Sequence, residues 1–297
     1  MKLGFIGLGQ MGKHMAFNLH KSSEELIVCD IFPDSLSPFT QCGIKTTLNP
    51  RELAVCDILF LCLPNAEIVE KVIANLSDLL SKKHIIVDMS TIDYTASIAI
   101  AKKLKEQSVE FIDAPVTGME ARAIDGTLTI MCGGNSDTLE TVRPYLNYMG
   151  TNILYMGTYG CGQLSKTINN ILFDINIAGL AEILPMAVKL GLDPEAIGSV
   201  INSGSGRSYA SEFFIPRILN DNFQDGYPLT HAYKDLVSGA TLSAKYGIPL
   251  PVTHAATTTY QMALLKGLGN KDKGAMTNVF EDLLGTKFRK ENSLPKA

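Results

Sequence analysis

The feature that most constrains this chain lies at its start. A short apolar run, Leu3 to Ile6, leads straight into Gly7-x-Gly9-x-x-Gly12. A helix-compatible segment follows, then a second apolar run, Leu26 to Cys29, ending in Asp30. Strand, glycine turn, helix, strand and acid, in that order, are what a dinucleotide-binding βαβ unit needs. Gly7 permits the tight turn, Gly9 lets the backbone approach a pyrophosphate, and Gly12 lets helix and strand pack closely. Leu8, Gln10 and Met11 complete the loop, and the pyrophosphate is expected on the free N–H groups of the helix start. Asp30 can accept hydrogen bonds from the ribose hydroxyls and would repel a 2′-phosphate. Ile31, Phe32 and Pro33 come next, with no Arg to clamp such a phosphate, so NAD is expected over NADP. The other role open to Asp30 is capping the turn that follows it.

The first half continues to alternate. Apolar strands are predicted near Ile44–Thr47 and over Asp57–Leu63, His84–Met89, Glu110–Ala114 and Thr127–Cys132. Helical patterns over Glu67–Leu80 and Thr95–Gln107 separate them. Such alternation predicts an α/β fold with a doubly wound, mostly parallel sheet. The pattern changes at the glycine-rich Gly157–Gly162, read as a hinge. Gln163–Leu190 reads as one long helix, apolar on most sides, as suits a large core or a subunit interface. Beyond it the chain is helix-like, broken by Gly/Pro turns, with a polar tail from Arg289 expected to fray. These features predict a dinucleotide domain over 1–160 and an all-helical domain for substrate and oligomerisation over 161–297. The excess helical apolar surface predicts a homodimer or homotetramer.

A chain of 297 residues with net charge −4 gives no reason to expect nucleic acid or an anionic membrane as partner. Its six cysteines include no C-x-x-C pair and read as small buried residues in a reducing compartment. No uninterrupted apolar run approaches a membrane span, and Gln10, Lys13 and His14 break any signal-peptide core, so a cytoplasmic or organelle-matrix enzyme is expected, cytoplasmic first. The histidines show no metal-ligand spacing, and no metal is expected.

Three places carry candidate chemistry. Lys166 and Asn170 lie four apart on the long helix, hence on one face. A desolvated Lys can act as an acid or base near neutrality; the same spacing also fits a solvated Lys beside a surface Asn. Asp113-Ala-Pro-Val-Thr117-Gly118 ends a strand on the side where open α/β sheets bind ligands. A Thr hydroxyl and free N–H groups there suit a carboxylate, and an ordinary turn fits equally. Lys234-Asp235 is by itself an unremarkable charged pair.

Together these residues resemble the β-hydroxyacid dehydrogenase family, which includes 3-hydroxyisobutyrate dehydrogenases and tartronate semialdehyde reductases. The likeness spans nearly the whole chain. It runs through Gly7-Leu-Gly9-Gln-Met11-Gly12 with Met15-Ala-x-Asn18-Leu, Leu63-Pro64-Asn65, Asp88-Met-Ser90-Thr91, Asp113-Ala-Pro-Val-Thr117-Gly118, Asp125-Gly126-Thr-Leu, Gly162-x-x-x-Lys166-x-x-x-Asn170 and Lys234-Asp235-Leu. The resemblance implies a Rossmann domain, an all-helical domain and an active site in the cleft between them. It implies Lys166 as catalytic acid/base, with Asn170 positioning the substrate and Thr117 and Gly118 holding its carboxylate. Leu63, Pro64 and Thr91 would line the cofactor site, and Lys234 would touch the cofactor near the nicotinamide. The implied activity interconverts a small β-hydroxy acid and its semialdehyde with NAD. A physiological reductase of tartronate or succinic semialdehyde is the runner-up, and a catalytically silent dinucleotide-binding protein a further alternative. The chain is short for the decarboxylating sugar-acid dehydrogenases, with their larger helical domain. It also departs from the family. Thr117-Gly118-Met119 stands where Ser-Gly-Gly is usual, adding bulk at Met119. Ser203–Ser208 resembles the 3-hydroxyisobutyrate enzymes, whereas Glu120–Gly126 resembles the tartronate semialdehyde reductases.

Overall fold

A computed structural model describes residues 1–290. The first unit is built on β1 (Lys2–Ile6), α1 (Gly12–His20), β2 (Glu25–Cys29), α2 (Pro33–Gln41), β3 (Lys45–Thr47), β4 (Ile58–Leu61), α3 (Ala66–Leu76), β5 (Ile85–Asp88), α4 (Tyr94–Glu106) and β6 (Glu110–Asp113). These six strands pair in the order β3-β2-β1-β4-β5-β6, all parallel. The strand order reverses beside β1, where open sheets leave a crevice for ligands. The sheet continues through β7 (Val116–Thr117), β8 (Leu128–Gly134) and β9 (Gly150–Gly157), with β8 antiparallel to β6 and β7 and parallel to β9.

Both faces of the central strands are buried, the signature of a parallel sheet. Leu3, Phe5, Ile58 and Phe60 pack with Met15 and Leu19 of α1 on one face. Ile6, Leu59, Leu61 and Ile86 pack with Val69 and Ile73 of α3 on the other. Helices α5 (Met119–Asp125) and α6 (Ser136–Leu146) complete this part of the chain.

A long helix, α7 (Cys161–Lys189), follows. The chain divides into two compact units between Lys166 and Thr167, inside this helix, whereas the sequence placed the boundary just before it. The second unit adds α8 (Pro194–Ser203), α9 (Tyr209–Leu219), α10 (Leu229–Tyr246), α11 (Pro251–Leu265) and α12 (Thr277–Leu284). Its core gathers Ile177, Ala181 and Leu184 with Phe214, Ile218, Leu236, Tyr260 and Met276. Within it the buried Asp174 pairs with Lys273 and accepts a hydrogen bond from the Tyr260 hydroxyl at 2.9 Å. Burial pushes the Asp174 carboxyl up to about 6 despite the Lys273 ammonium, which pulls the other way.

Two expectations are corrected, and a third is qualified. Arg289 does not fray: it is buried and pairs with Glu281 at 2.5 Å and Asp221 at 2.7 Å. The rest of that tail, from residue 291, lies outside the described residues. The cysteines are all free, but Cys42 is exposed and Cys62 and Cys161 are half-buried. Finally, α7 is long and apolar enough in composition to cross a membrane. Its ion-paired Asp174 and its place in the helical core mark it as the central helix of a folded unit instead.

Candidate active site

The glycine loop shows what each glycine is for. Gly7 has φ +99, and a Cβ there would meet the Cys62 carbonyl oxygen at 2.2 Å. A Cβ on Gly12 would lie 2.0 Å from the Gly7 carbonyl oxygen. Both positions are closed by the protein's own backbone. Gly9 differs: it is exposed, and no atom lies within 4 Å of a Cβ built on it. The fold therefore does not require glycine at Gly9, and the open space above it suits a close-approaching pyrophosphate.

The helix start agrees. Helices α3, α4, α6, α8 and α9 are each capped by a side chain, from Asn65, Asp93, Asn135, Asp193 and Ser208. Helix α1, with Met11 at its N-cap, has no side-chain cap, as is also true of α2, α5, α10, α11 and α12. The Lys13 N–H bonds the Gly9 carbonyl at 3.1 Å, and the dipole of this helix end faces the glycine loop, where it favours an anion. These residues fit a dinucleotide. Gln10 is exposed and Met11 half-buried at this mouth. Leu8 turns its side chain into the core and donates its N–H to Asp30 Oδ2 at 2.7 Å. Asp30 Oδ1 accepts from the Phe32 N–H at 2.9 Å. Asp30 thus does cap the turn after β2, and it also ties that turn to the glycine loop. Each oxygen retains a lone pair for a further donor.

At the ends of β4, β5 and β6 a buried network fixes the neighbouring loops. Half-buried Leu63 donates its N–H to Ser90 Oγ at 2.9 Å, and exposed Pro64 follows it. Ser90 donates its N–H to Asp88 Oδ1 at 3.0 Å. Gln163, fully buried in the first turn of α7, donates to the Ser90 carbonyl at 2.7 Å and accepts from the Ile92 N–H at 3.1 Å. It thereby clasps the segment carrying half-buried Thr91. Asp113 accepts N–H bonds from Gly160 at 2.7 Å and Gln163 at 3.0 Å, capping α7. Gly162 is required here, because a Cβ would lie 2.3 Å from the Met131 carbonyl oxygen. Lys166, half-buried, follows one turn after Gln163, so its helix is pinned to the loop after β5.

Asp88 and Asp113 are paired neighbours on β5 and β6, and both are fully buried. Burial pushes Asp88 up to about 7, against the Ser90 hydrogen bonds, and the Asp113 charge adds to the rise. Burial pushes Asp113 up to about 6 against its N–H partners. Asp88 Oδ2 is buried with no hydrogen-bond partner, as suits a carboxyl that holds its proton near neutrality.

Half-buried Thr117 ends β7, paired with Thr129 of β8, and Gly118 follows at φ +139. Met119 holds φ +62, a left-handed conformation uncommon outside glycine and costly when held there. At this position the chain thus carries a side chain on a backbone conformation that glycine adopts without strain. Glu120 anchors the turn on α1. It accepts from Gln10 Nε2 at 2.9 Å, bonds His14 Nε2 at 3.0 Å and pairs with Lys13 at 3.3 Å. These partners, Gln10 first, hold its carboxyl down at about 2.

In the second unit Asn170, half-buried, donates Nδ2 to Asp235 Oδ2 at 2.9 Å. Asp235 is buried, and its neighbour Lys234 is exposed on α10. Sequence reasoning thus missed Asp235, Gln163 and Glu120 as site residues. Each stands within or beside a quoted motif, but only burial and partners reveal its role.

The comparisons with known proteins give the family of the chain. Residues 2–157 match the family described as the NAD-binding domain of 6-phosphogluconate dehydrogenase. Residues 160–280 match the family described as the NAD-binding domain of NADP-dependent 3-hydroxyisobutyrate dehydrogenase. The chain is 36% identical to 2-(hydroxymethyl)glutarate dehydrogenase of Eubacterium barkeri, covering 96% of both chains. This chain belongs to the β-hydroxyacid dehydrogenases. Mitochondrial 3-hydroxyisobutyrate dehydrogenase of Homo sapiens is 33% identical, over 95% of this chain and 86% of that one. The solved Mycobacterium tuberculosis 3-hydroxyisobutyrate dehydrogenase with L-serine is 26% identical, with TM-score 0.85 over 93% of this chain and 98% of that one. As a β-hydroxyacid dehydrogenase the chain is a nicotinamide-dinucleotide oxidoreductase. Its first half carries a dinucleotide domain shared with the decarboxylating enzymes, and its helical half is of the 3-hydroxyisobutyrate type.

Proposed function

We propose that this protein interconverts a small β-hydroxy acid and its semialdehyde, using NAD in preference to NADP. The observation that supports the reading is the pinning of the first turn of α7, one turn before Lys166, by Asp113 and by the bonds of Gln163 to the segment that bears Thr91. The bound nicotinamide supplies the hydride acceptor, or the donor in reverse. Lys166 Nζ takes the hydroxyl proton during oxidation and returns it during reduction, and its charge stabilises the developing alkoxide. Thr117 and Gly118 hold the carboxylate, and Asn170, steadied by Asp235, orients the carbinol carbon. Leu63, Pro64 and Thr91 line the cofactor site, Lys234 contacts the cofactor, and Asp30 faces its ribose.

The protein is further proposed to be cytoplasmic and to form a homodimer or homotetramer through its helical part. Ile168, Leu172, Ile183, Met186 and Leu190 are all exposed. At 100° per residue they form one stripe along α7, on the side away from Lys166 and Asn170. Such a stripe on a monomer is an aggregation liability.

A substrate panel tests the reading: 3-hydroxyisobutyrate, glycerate, serine, 4-hydroxybutyrate and 2-(hydroxymethyl)glutarate, each with NAD and NADP. Turnover of at least one acid with a primary hydroxyl on its β-carbon is expected. Absence of turnover with every acid, by protein that binds NADH, would overturn the reading.

A further inference from the structure

Helix α5 carries two oppositely charged side chains beside the Thr117–Gly118 turn, and the fold treats them differently. Glu120 is turned onto α1 and is fully engaged by Gln10, Lys13 and His14. Arg122 is exposed, and among the described residues it makes no ion pair. Its stem is nonetheless placed. A Cβ on Gly118 would meet Arg122 Cδ at 2.7 Å, Cβ at 2.9 Å and Cγ at 3.3 Å. The aliphatic part of Arg122 therefore lies along Gly118, folded back over the start of α5 as helical side chains are. The stem is thus held beside the turn, and among the described residues no carboxylate pairs with the guanidinium at its end. Glu120 is committed elsewhere, and Asp125, three residues on along the same helix, forms no ion pair with Arg122.

We propose that Arg122 receives a second carboxylate on the substrate, so that this enzyme prefers dicarboxylic β-hydroxy acids, or the matching acid semialdehydes, over monocarboxylic ones. The inference rests on the reading that Thr117 and Gly118 hold the carboxylate beside the reacting carbon. A second carboxylate, a short carbon chain away, then falls within reach of the guanidinium fork. Arg suits this task because its planar donors match both oxygens of a carboxylate. Lys13 and His14 do not compete for that carboxylate, because Glu120 occupies them.

Two non-reacting probes, glutarate and butyrate, test the site without turnover. Their affinities for the NADH-saturated enzyme are measured by calorimetry, alongside kcat and KM for 2-(hydroxymethyl)glutarate and 3-hydroxyisobutyrate. A charge-assisted pair makes glutarate bind about tenfold or more tightly than butyrate in the native enzyme. Arg122→Met keeps the stem against Gly118 and removes the charge. It is expected to abolish the glutarate preference and raise KM for the dicarboxylate about tenfold, leaving butyrate binding, kcat and the monocarboxylate KM within about twofold. Arg122→Lys restores part of the preference. A merely structural role would move both probes together, and that result overturns the proposal. So does a native enzyme with no preference for glutarate, or a preference that survives in Arg122→Met. If glutarate binds through Arg122 but no hydroxy acid is turned over, the second-carboxylate site stands and the dehydrogenase reading falls. If 3-hydroxyisobutyrate is turned over and glutarate gains nothing, the reverse holds.

Discussion

Gly9→Ala separates what the fold needs from what the cofactor needs. No protein atom lies within 4 Å of the new methyl, and the φ of Gly9 is outside the left-handed region. Folding should not suffer. Removing a glycine from the unfolded ensemble at a compatible site stabilises by about 0.4–1 kcal/mol, which corresponds to a rise of roughly 1–4 °C in apo Tm for a unit of this size. Dinucleotide binding should fail, because the methyl fills the space left for the pyrophosphate. At least ~10-fold weaker NADH affinity is expected, about 1.4 kcal/mol. Gly12→Ala is the control. Its methyl would sit 2.0 Å from a backbone oxygen, which cannot move aside without displacing the end of β1. Overpacking of that kind costs about 1–3 kcal/mol or more, so this variant should lose apo stability first. NADH fluorescence titration and thermal denaturation without cofactor read the two effects. An NADH Kd within twofold of native for Gly9→Ala, or a Tm loss matching that of Gly12→Ala, would refute the assignment of the loop.

Asp88, pushed up to about 7, binds its proton more tightly in the folded than in the unfolded chain. Stability should therefore fall as pH rises from about 4 to about 7 and then level off, by up to about 4 kcal/mol from this group. Asp88→Asn should reduce that slope, leaving the smaller contributions of Asp113 and Asp174; parallel pH–stability curves for the two proteins would count against the buried, protonated carboxyl. Asp30 should give NAD at least a ~10-fold advantage in kcat/KM, and Asp30→Asn with Ile31→Arg should shift preference towards NADP; equal use of both cofactors by the native enzyme would mean Asp30 serves only to tie Leu8 and Phe32. Light scattering at micromolar concentration should report a dimer or tetramer, and a monomer would leave the exposed stripe on α7 unexplained.

The sequence exposed those parts of the fold whose side chains repeat. Five of the six parallel strands, β1, β2, β4, β5 and β6, are short apolar runs buried along most of their length, so each stood out; β3, Lys-Thr-Thr at the sheet edge, was read only from Ile44 beside it. Of the extension beyond them, β8 was read as Thr127–Cys132, whereas β7 and β9 were not. β7 is two residues long, and β9 shows an exposed, irregular pattern with Leu154 and Tyr155 outward. Helix α5 is seven residues between Gly118 and Gly126, too short for a periodicity. In the site, the glycines were legible because backbone geometry dictates them. Gln163 and Asp235 were not, because a buried amide or carboxylate next to a motif looks in sequence like any polar helical residue. Only its hydrogen-bond partners, distant in the chain, distinguish it. Glu120 was hidden for the same reason: its partners lie more than a hundred residues earlier.

Lys166 is the residue on which the chemistry turns, and its replacement gives the most direct test. Steady-state kcat of Lys166→Ala on the best acid of the panel should be compared with native, alongside NADH affinity by fluorescence and Tm. Loss of a general acid/base should lower kcat by ~10²–10⁴-fold, with NADH affinity and Tm nearly unchanged. A variant that keeps more than about a tenth of native kcat, well outside that range, would contradict the assignment of Lys166 as the proton-transfer group.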